Sequence, residues 1–190
     1  MKKRVEAIFK ESRMVQEKTL KINLKKIISA ASMIVKAFKE DNIVFFFGNG
    51  GSAADSQHMA AELIGRFQKE RRAFPAIALT TDTSVLTSLG NDYSFDIIFK
   101  RQIEGLGHKK DVAFGISTSG NSKNVIEGIK QAKKMGMKTI SLTGHDGGIL
   151  AALTDISIIV PSSHTARIQE THSCIIHTIC ELVEENLRRK

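Results

Sequence analysis

"FFFGNGGSAAD", residues 45–55, sets the architecture. Three phenylalanines run straight into a polar turn that holds three of the chain's fourteen glycines. A short, unbroken apolar run predicts a strand covered on both faces, as in a parallel sheet layered between helices. In such sheets ligands bind beyond the carboxyl ends of the strands. Glycines there let backbone N–H groups approach a ligand closely, and the next helix turns its positive end towards an anion.

Working outward, four more runs have strand length: "AIAL" (76–79), "VAFGIS" (112–117), "TISLT" (139–143) and "ISIIV" (156–160). Helical patterns separate them at 53–68, 83–105, 122–135 and 147–153, and a last helix is expected over about 165–188. Strands alternating with helices predict an α/β fold with a five-stranded parallel sheet between helices. Residues 3–39 carry two stretches with apolar residues at three- and four-residue steps, which predict an N-terminal helical hairpin. No repeat or linker appears, so residues 1–190 are expected to form one domain, with 1–40 as a helical extension for oligomerisation.

Composition narrows the function. The 190 residues include 28 Lys plus Arg against 20 Asp plus Glu, a net charge of +8. This balance suits nucleic acid, acidic lipid or small anions. Much of the excess lies in "MKKR", "LRRK", "KERR" and "HKK", and reads mainly as solvated surface. With no Trp and one Tyr, base stacking is poorly supplied and a nucleic-acid partner is not expected. Cys174 and Cys180 lie about 9 Å apart along a helix axis, too far for a disulfide. They read as buried thiols of a reducing compartment. No apolar run reaches the ~18 residues of a membrane span and no signal peptide appears, so a soluble cytoplasmic protein is expected.

The opening loop also fits a dinucleotide fingerprint, G-x-G-x-x-A over 48–53. The acidic residue expected about twenty positions on is missing, because Asp82 comes nearer thirty and past "AIAL". A plain strand-to-helix turn remains the alternative. A second loop shifts the balance. "GISTSGNSKN" sets Ser117, Thr118, Ser119 and Ser122 around one helix N-terminus, with no Walker lysine or metal-binding carboxylate. Four hydroxyls at an anion-favouring terminus suit the phosphate of a small, hydroxyl-rich metabolite.

The segments "GNGGSAADSQHMAAELIGRF", "FPAIALTTDTS", "GNDYSFDIIFKRQ", "KDVAFGISTSGNS", "ISLTGHDGG" and "ARIQETH", with a further His at 177, are long, ordered and span nearly the whole chain. Together they resemble the sugar isomerase (SIS) domain family and, within it, the phosphoheptose isomerases. One segment departs from the family pattern: Lys110 begins "KDVAFG" where the family has glycine. The resemblance implies isomerisation of sedoheptulose 7-phosphate to glycero-manno-heptose 7-phosphate, the first step towards bacterial heptose. It further implies a homotetramer with active sites at subunit interfaces. It puts substrate contacts at Asn49, Gly50, Gly51, Ser52, Glu62, Asn91, Asp92, Ser117, Thr118, Ser119, Ser122 and Gln169. Glu62 and His177 match the catalytic pair, and His58, Glu62, Gln169 and His177 match a zinc site. His164 and Thr165 fall in a variable approach to the last helix and receive no role.

Taken alone, Glu62 reads more readily as a helix-surface glutamate and His177, in "CIIHTIC", as a satisfied core histidine; the joint match to the family pattern reverses both readings. Aldose–ketose isomerisation needs a base at carbon and an acid near the carbonyl oxygens. His58 and Glu62, at i and i+4, project from one helix face. Gln169 and His177 are less easily joined, since eight helical residues separate them by about 12 Å. Either one of the two comes from a neighbouring subunit, the favoured option, or Gln169 precedes the regular helix. The alternative function is that of a related tetrameric SIS protein which binds the bacterial replication initiator and shares "ARIQE". That relative lacks the Glu and the last His, so their presence at 62 and 177 favours the enzyme.

Overall fold

A computed structural model describes residues 1–187. In chain order the elements are α1 (Lys2–Lys39), β1 (Val44–Gly48), α2 (Gly51–Ile64), β2 (Ala76–Ala78), α3 (Thr83–Asp92), a 3-10 turn (Phe95–Ile97), α4 (Ile98–Leu106), β3 (Val112–Ser117), α5 (Lys123–Lys134), β4 (Lys138–Gly144), α6 (Gly148–Leu153), β5 (Ile156–Val160) and α7 (Thr165–Leu187). All five strands are parallel, in the order β2-β1-β3-β4-β5. This order reverses direction between β1 and β3, where neighbouring loops diverge and leave a crevice.

The three phenylalanines serve two cores. Phe46 points into the layer formed with α1, α2 and α7, where it meets Phe114 at 5.4 Å between ring centroids. Phe45 and Phe47 point the other way, towards α4 and α5, and Phe47 meets Phe99 at 5.3 Å. Strand side chains alternate between faces, so a strand covered on both sides must be apolar throughout.

The expected N-terminal hairpin is not formed. Residues 2–39 make one helix of 38 residues, about 57 Å long. The physical reason is the absence of a breaker: this span has neither glycine nor proline. Its buried residues begin only at Thr19; the first half leaves Val5, Phe9 and Met14 exposed and meets the body through Ile8 O and Glu11, which contact Arg167 and His164 around the start of α7. Asn23 fastens the second half to the sheet. Its Nδ2 donates to Ile159 O at 2.8 Å and its Oδ1 accepts from Ile159 N at 3.3 Å, so α1 covers the outer edge of β5.

Two smaller expectations also change. The helical pattern over 83–105 is broken after Asp92, where Ser94 accepts from Asp96 N and starts the 3-10 turn. Of the two cysteines only Cys180 is buried; Cys174 is exposed on α7. Burial pushes the Cys180 thiol up to about 12, so it stays protonated. Among the described residues no helix is long and apolar enough to cross a membrane.

Candidate active site

The opening loop and the serine loop leave adjacent strands, β1 and β3, at the same sheet edge. They are tied by a reciprocal amide pair: Asn49 Nδ2 donates to Asn124 Oδ1 and Asn124 Nδ2 donates to Asn49 Oδ1, both at 2.8 Å. Asn124 Oδ1 also accepts from Val125 N at 2.9 Å. Sequence reasoning missed Asn124. Its only signal was a second asparagine at the start of a helix beside a glycine-rich loop.

In the serine loop the hydroxyls gather on one another, and Ser119 Oγ accepts from Asn121 N at 3.1 Å. Ser122 occupies the N-cap position of α5, yet its side chain makes no capping bond. Its Oγ instead lies 2.9 Å from Ser117 Oγ, which in turn lies 3.4 Å from Ser119 Oγ. Because Ser122 does not cap, the N–H groups of Lys123 and Asn124 have no side-chain acceptor, while Val125 N is taken up by Asn124 Oδ1, so the first two N–H groups stay open to an anion. Gly120 permits the turn: its φ is +67°, and a Cβ there would overlap Gly147 O. Thr118 O holds the loop to the next strand by accepting from Gly144 N at 3.0 Å. Beyond Ser119 and Asn121 opens a cavity of about 630 Å3, also lined by Lys18, His145 and Ser162.

On the other side of the crevice, α2 and α7 bring three titratable residues together. His58 Nε2 lies 3.1 Å from Glu62 Oε1, as one helix turn allows. His177 Nε2, 119 residues away in sequence, lies 3.4 Å from His58 Nε2. The two imidazoles meet edge to face at 4.9 Å, and Phe67 packs beside His177 at 5.5 Å. One ligand atom from each of His58, Glu62 and His177 lies within 4.8 Å of the others. This geometry suits a metal. Tetrahedral zinc with bonds of about 2.0–2.1 Å sets its ligand atoms roughly 3.3–3.4 Å apart. Two Nε2 atoms facing each other at 3.4 Å also need a proton or a cation between their lone pairs.

Phe67 is held in place by a buried ion pair. Glu184 accepts from the N–H groups of Phe67, Gln68 and Lys69 and from Arg71 Nε at 3.2 Å. Burial pushes the Glu184 carboxyl up, but these donors outweigh it and hold it below the usual carboxylate range. Asp55, one turn before His58, shows the opposite balance. Burial raises its pKa, and the Ser173 hydroxyl at 3.5 Å and the charge of His58 offset this only in part. Its Oδ2 is buried without a partner.

The remaining candidates divide. Gln169 lies within α7, which starts at Thr165, so the possibility that it precedes the regular helix is excluded. Its amide covers Gly51, where any Cβ would overlap Gln169 Nε2. Gln169 therefore reaches the opening loop of its own chain. Ser52 is buried at the start of α2, and Gly50, with φ of +56°, precedes it as the N-cap. Asn91 and Asp92 close α3 at the surface, where their side chains bond to each other at 2.8 Å rather than to either loop.

The SIS domain family profile matches residues 8–144. A phosphoheptose isomerase from Aquifex aeolicus is 55% identical over 185 residues, covering 97% of each chain. The chain belongs to the SIS domain family, among the phosphoheptose isomerases. Solved structures agree. A phosphoheptose isomerase from Neisseria gonorrhoeae superposes with a TM-score of 0.92 at 45% identity, covering 97% of this chain and 98% of its own. One from Francisella tularensis gives 0.93 at 35% identity, covering 96% and 97%. The phosphoheptose isomerase likeness thus extends along α1 and α7 as well as the sheet, and the crevice between β1 and β3 is the candidate active site of this SIS domain.

Proposed function

We infer that this chain interconverts sedoheptulose 7-phosphate and D-glycero-D-manno-heptose 7-phosphate, the entry reaction to bacterial heptose. The observation that carries this is the convergence of Glu62 and His177 through His58, beside two glycine- and serine-rich loops at one sheet edge. A phosphate seated on the hydroxyls of Ser117, Thr118, Ser119 and Ser122 and on the N-terminus of α5 would anchor one end of the sugar. Asn49, Gly50, Gly51, Ser52 and Gln169 would bind hydroxyls along it, and Asn91 and Asp92 would reach a sugar from the rim of the site.

Isomerisation then requires a proton to leave C1 and one to arrive at C2. Glu62 as base takes the C1 proton, which gives an enediol with C1–C2 double-bond character. His177 as acid supplies a proton at the C2 oxygen and helps withdraw one from the C1 oxygen. Returning the carbon-bound proton to C2 leaves an aldehyde at C1 and a hydroxyl at C2, so protons and electrons balance. General acid–base help of this kind typically contributes about 10²- to 10⁴-fold.

His58, Glu62 and His177 would hold zinc, with Gln169 as the fourth ligand. Bound there, zinc would polarise the substrate oxygens while competing for the Glu62 lone pairs. Because eight helical residues set Gln169 about 12 Å along the axis from His177 within one chain, we propose that the fourth ligand comes from a neighbouring subunit of a homotetramer. The exposed apolar residues on the first half of α1 supply an assembly surface for it. A soluble cytoplasmic enzyme follows from the substrate class.

The decisive experiment is incubation with sedoheptulose 7-phosphate in D2O, followed by NMR. Deuterium should enter at C1 of the ketose and C2 of the aldose. Absence of exchange with correctly assembled protein would refute the assignment.

A further inference from the structure

At the opposite edge of the sheet, where β3 and β4 begin, lies a cavity of about 290 Å3. Four lysines line it: Lys36 from α1, Lys109 and Lys110 from the turn before β3, and Lys138 at the start of β4. Only one carboxylate, Glu40, lines it with them, 3.2 Å from Lys110 Nζ. The lining residues themselves therefore carry an excess of three positive charges. Two further acids adjoin lining residues in sequence: Asp111 is buried and accepts from the N–H groups of Ile43 and His108, and Asp41 lies 3.9 Å from Arg72.

Two backbone features gather these lysines at a cost. Lys110 has φ of +78°, a left-handed conformation that glycine adopts freely and lysine rarely does. Gly136 across the cavity has φ of +75°, and the stem of Lys109 lies over it, with Cγ 3.3 Å from where a Cβ would sit. Lys110 N donates to Gly136 O, which joins the two turns. A lysine that only needed solvent would have no reason to occupy a strained position, and its exposed pair with Glu40 repays little.

We propose that this cavity is a second anion site, remote from the candidate active site, which takes a small non-aromatic molecule carrying two or more phosphate groups. Three net positive charges call for more than one phosphate. The cavity is at the small end of ligand pockets and has no aromatic ring in its lining on which a base could stack. β3 runs from Val112, in the cavity lining, to Ser117 in the serine loop, so the two sites lie at opposite ends of one strand.

The probe is inorganic tripolyphosphate, titrated calorimetrically into the intact protein at low ionic strength. Because the serine loop also suits phosphate, the titration is repeated with Ser119→Ala/Ser122→Ala and with Lys109→Gln/Lys138→Gln. One site per chain should persist in the serine variant and weaken at least tenfold in the lysine variant. Equal affinity in the lysine variant, or loss of binding in the serine variant, would overturn the proposal. Lys110→Gly supplies an independent readout, since it removes a charge and relieves the backbone together. Affinity should fall severalfold while Tm holds or rises. A lower Tm with unchanged affinity would show that Lys110 serves the fold, and the site would fall with it.

Discussion

His172 makes a sharp stability prediction. It is fully buried in α7, with Nε2 3.1 Å from Thr143 O and Nδ1 buried without a partner. The ring is therefore neutral, with Nε2–H donating to the carbonyl. Burial pushes its pKa from 6.5 down to about 4, against a smaller upward pull from Thr143. A histidine with a depressed folded pKa contributes full stability above 6.5. That stability is lost as pH falls from 6.5 through 4, because the unfolded chain takes up the proton first. The full difference is about 3 kcal/mol, and about 2 kcal/mol of it is already lost at pH 5. The perturbation is His172→Gln, whose amide N–H can still reach Thr143 O but does not titrate. Urea unfolding of both proteins from pH 8 to pH 5, at matched concentration, isolates the term as the difference between their slopes. The wild-type should lose about 2 kcal/mol more than the variant. Parallel pH profiles would mean that His172 is charged or hydrated in the folded state, and the burial argument would be wrong.

Four further outcomes are expected. Glu62→Gln should lower turnover by at least ~10²-fold while leaving assembly intact, as assayed kinetically with size-exclusion chromatography; near-normal turnover would remove Glu62 from catalysis. Ser119→Ala/Ser122→Ala should raise KM for the phosphorylated sugar, with a smaller effect on a dephosphorylated analogue; equal effects on both would contradict phosphate recognition. Inactive Gln169→Ala and His177→Ala subunits, mixed under exchange conditions, should regain part of the activity, and no recovery despite exchange seen by mass spectrometry would place each site within one chain. Light scattering at micromolar concentration should report a tetramer, and a monomer would leave the exposed apolar residues on the first half of α1 unexplained.

Much of this molecule was legible as sequence because its signals are local. The strands announced themselves as short apolar runs, since burial on both faces leaves no room for polar alternation. The two glycine- and serine-rich loops were visible because glycine and clustered hydroxyls are signals confined to a few residues. The His58–Glu62 pair followed from one helix turn. The N-terminal hairpin failed for an equally local reason, since two apolar stripes do not imply a break without glycine or proline between them. What tertiary structure alone decided are meetings across long separations. The approach of His177 to His58, the amide pair of Asn49 and Asn124, and the seat of Gln169 on Gly51 depend on how α7, α2 and α5 lie on the sheet. The basic runs show the same division. "HKK" looked like solvated surface, and only the packing of α1 and β4 against that turn set Lys36 and Lys138 beside it. Charge in a sequence is a sum, whereas the field at a point depends on where the fold brings the charges together.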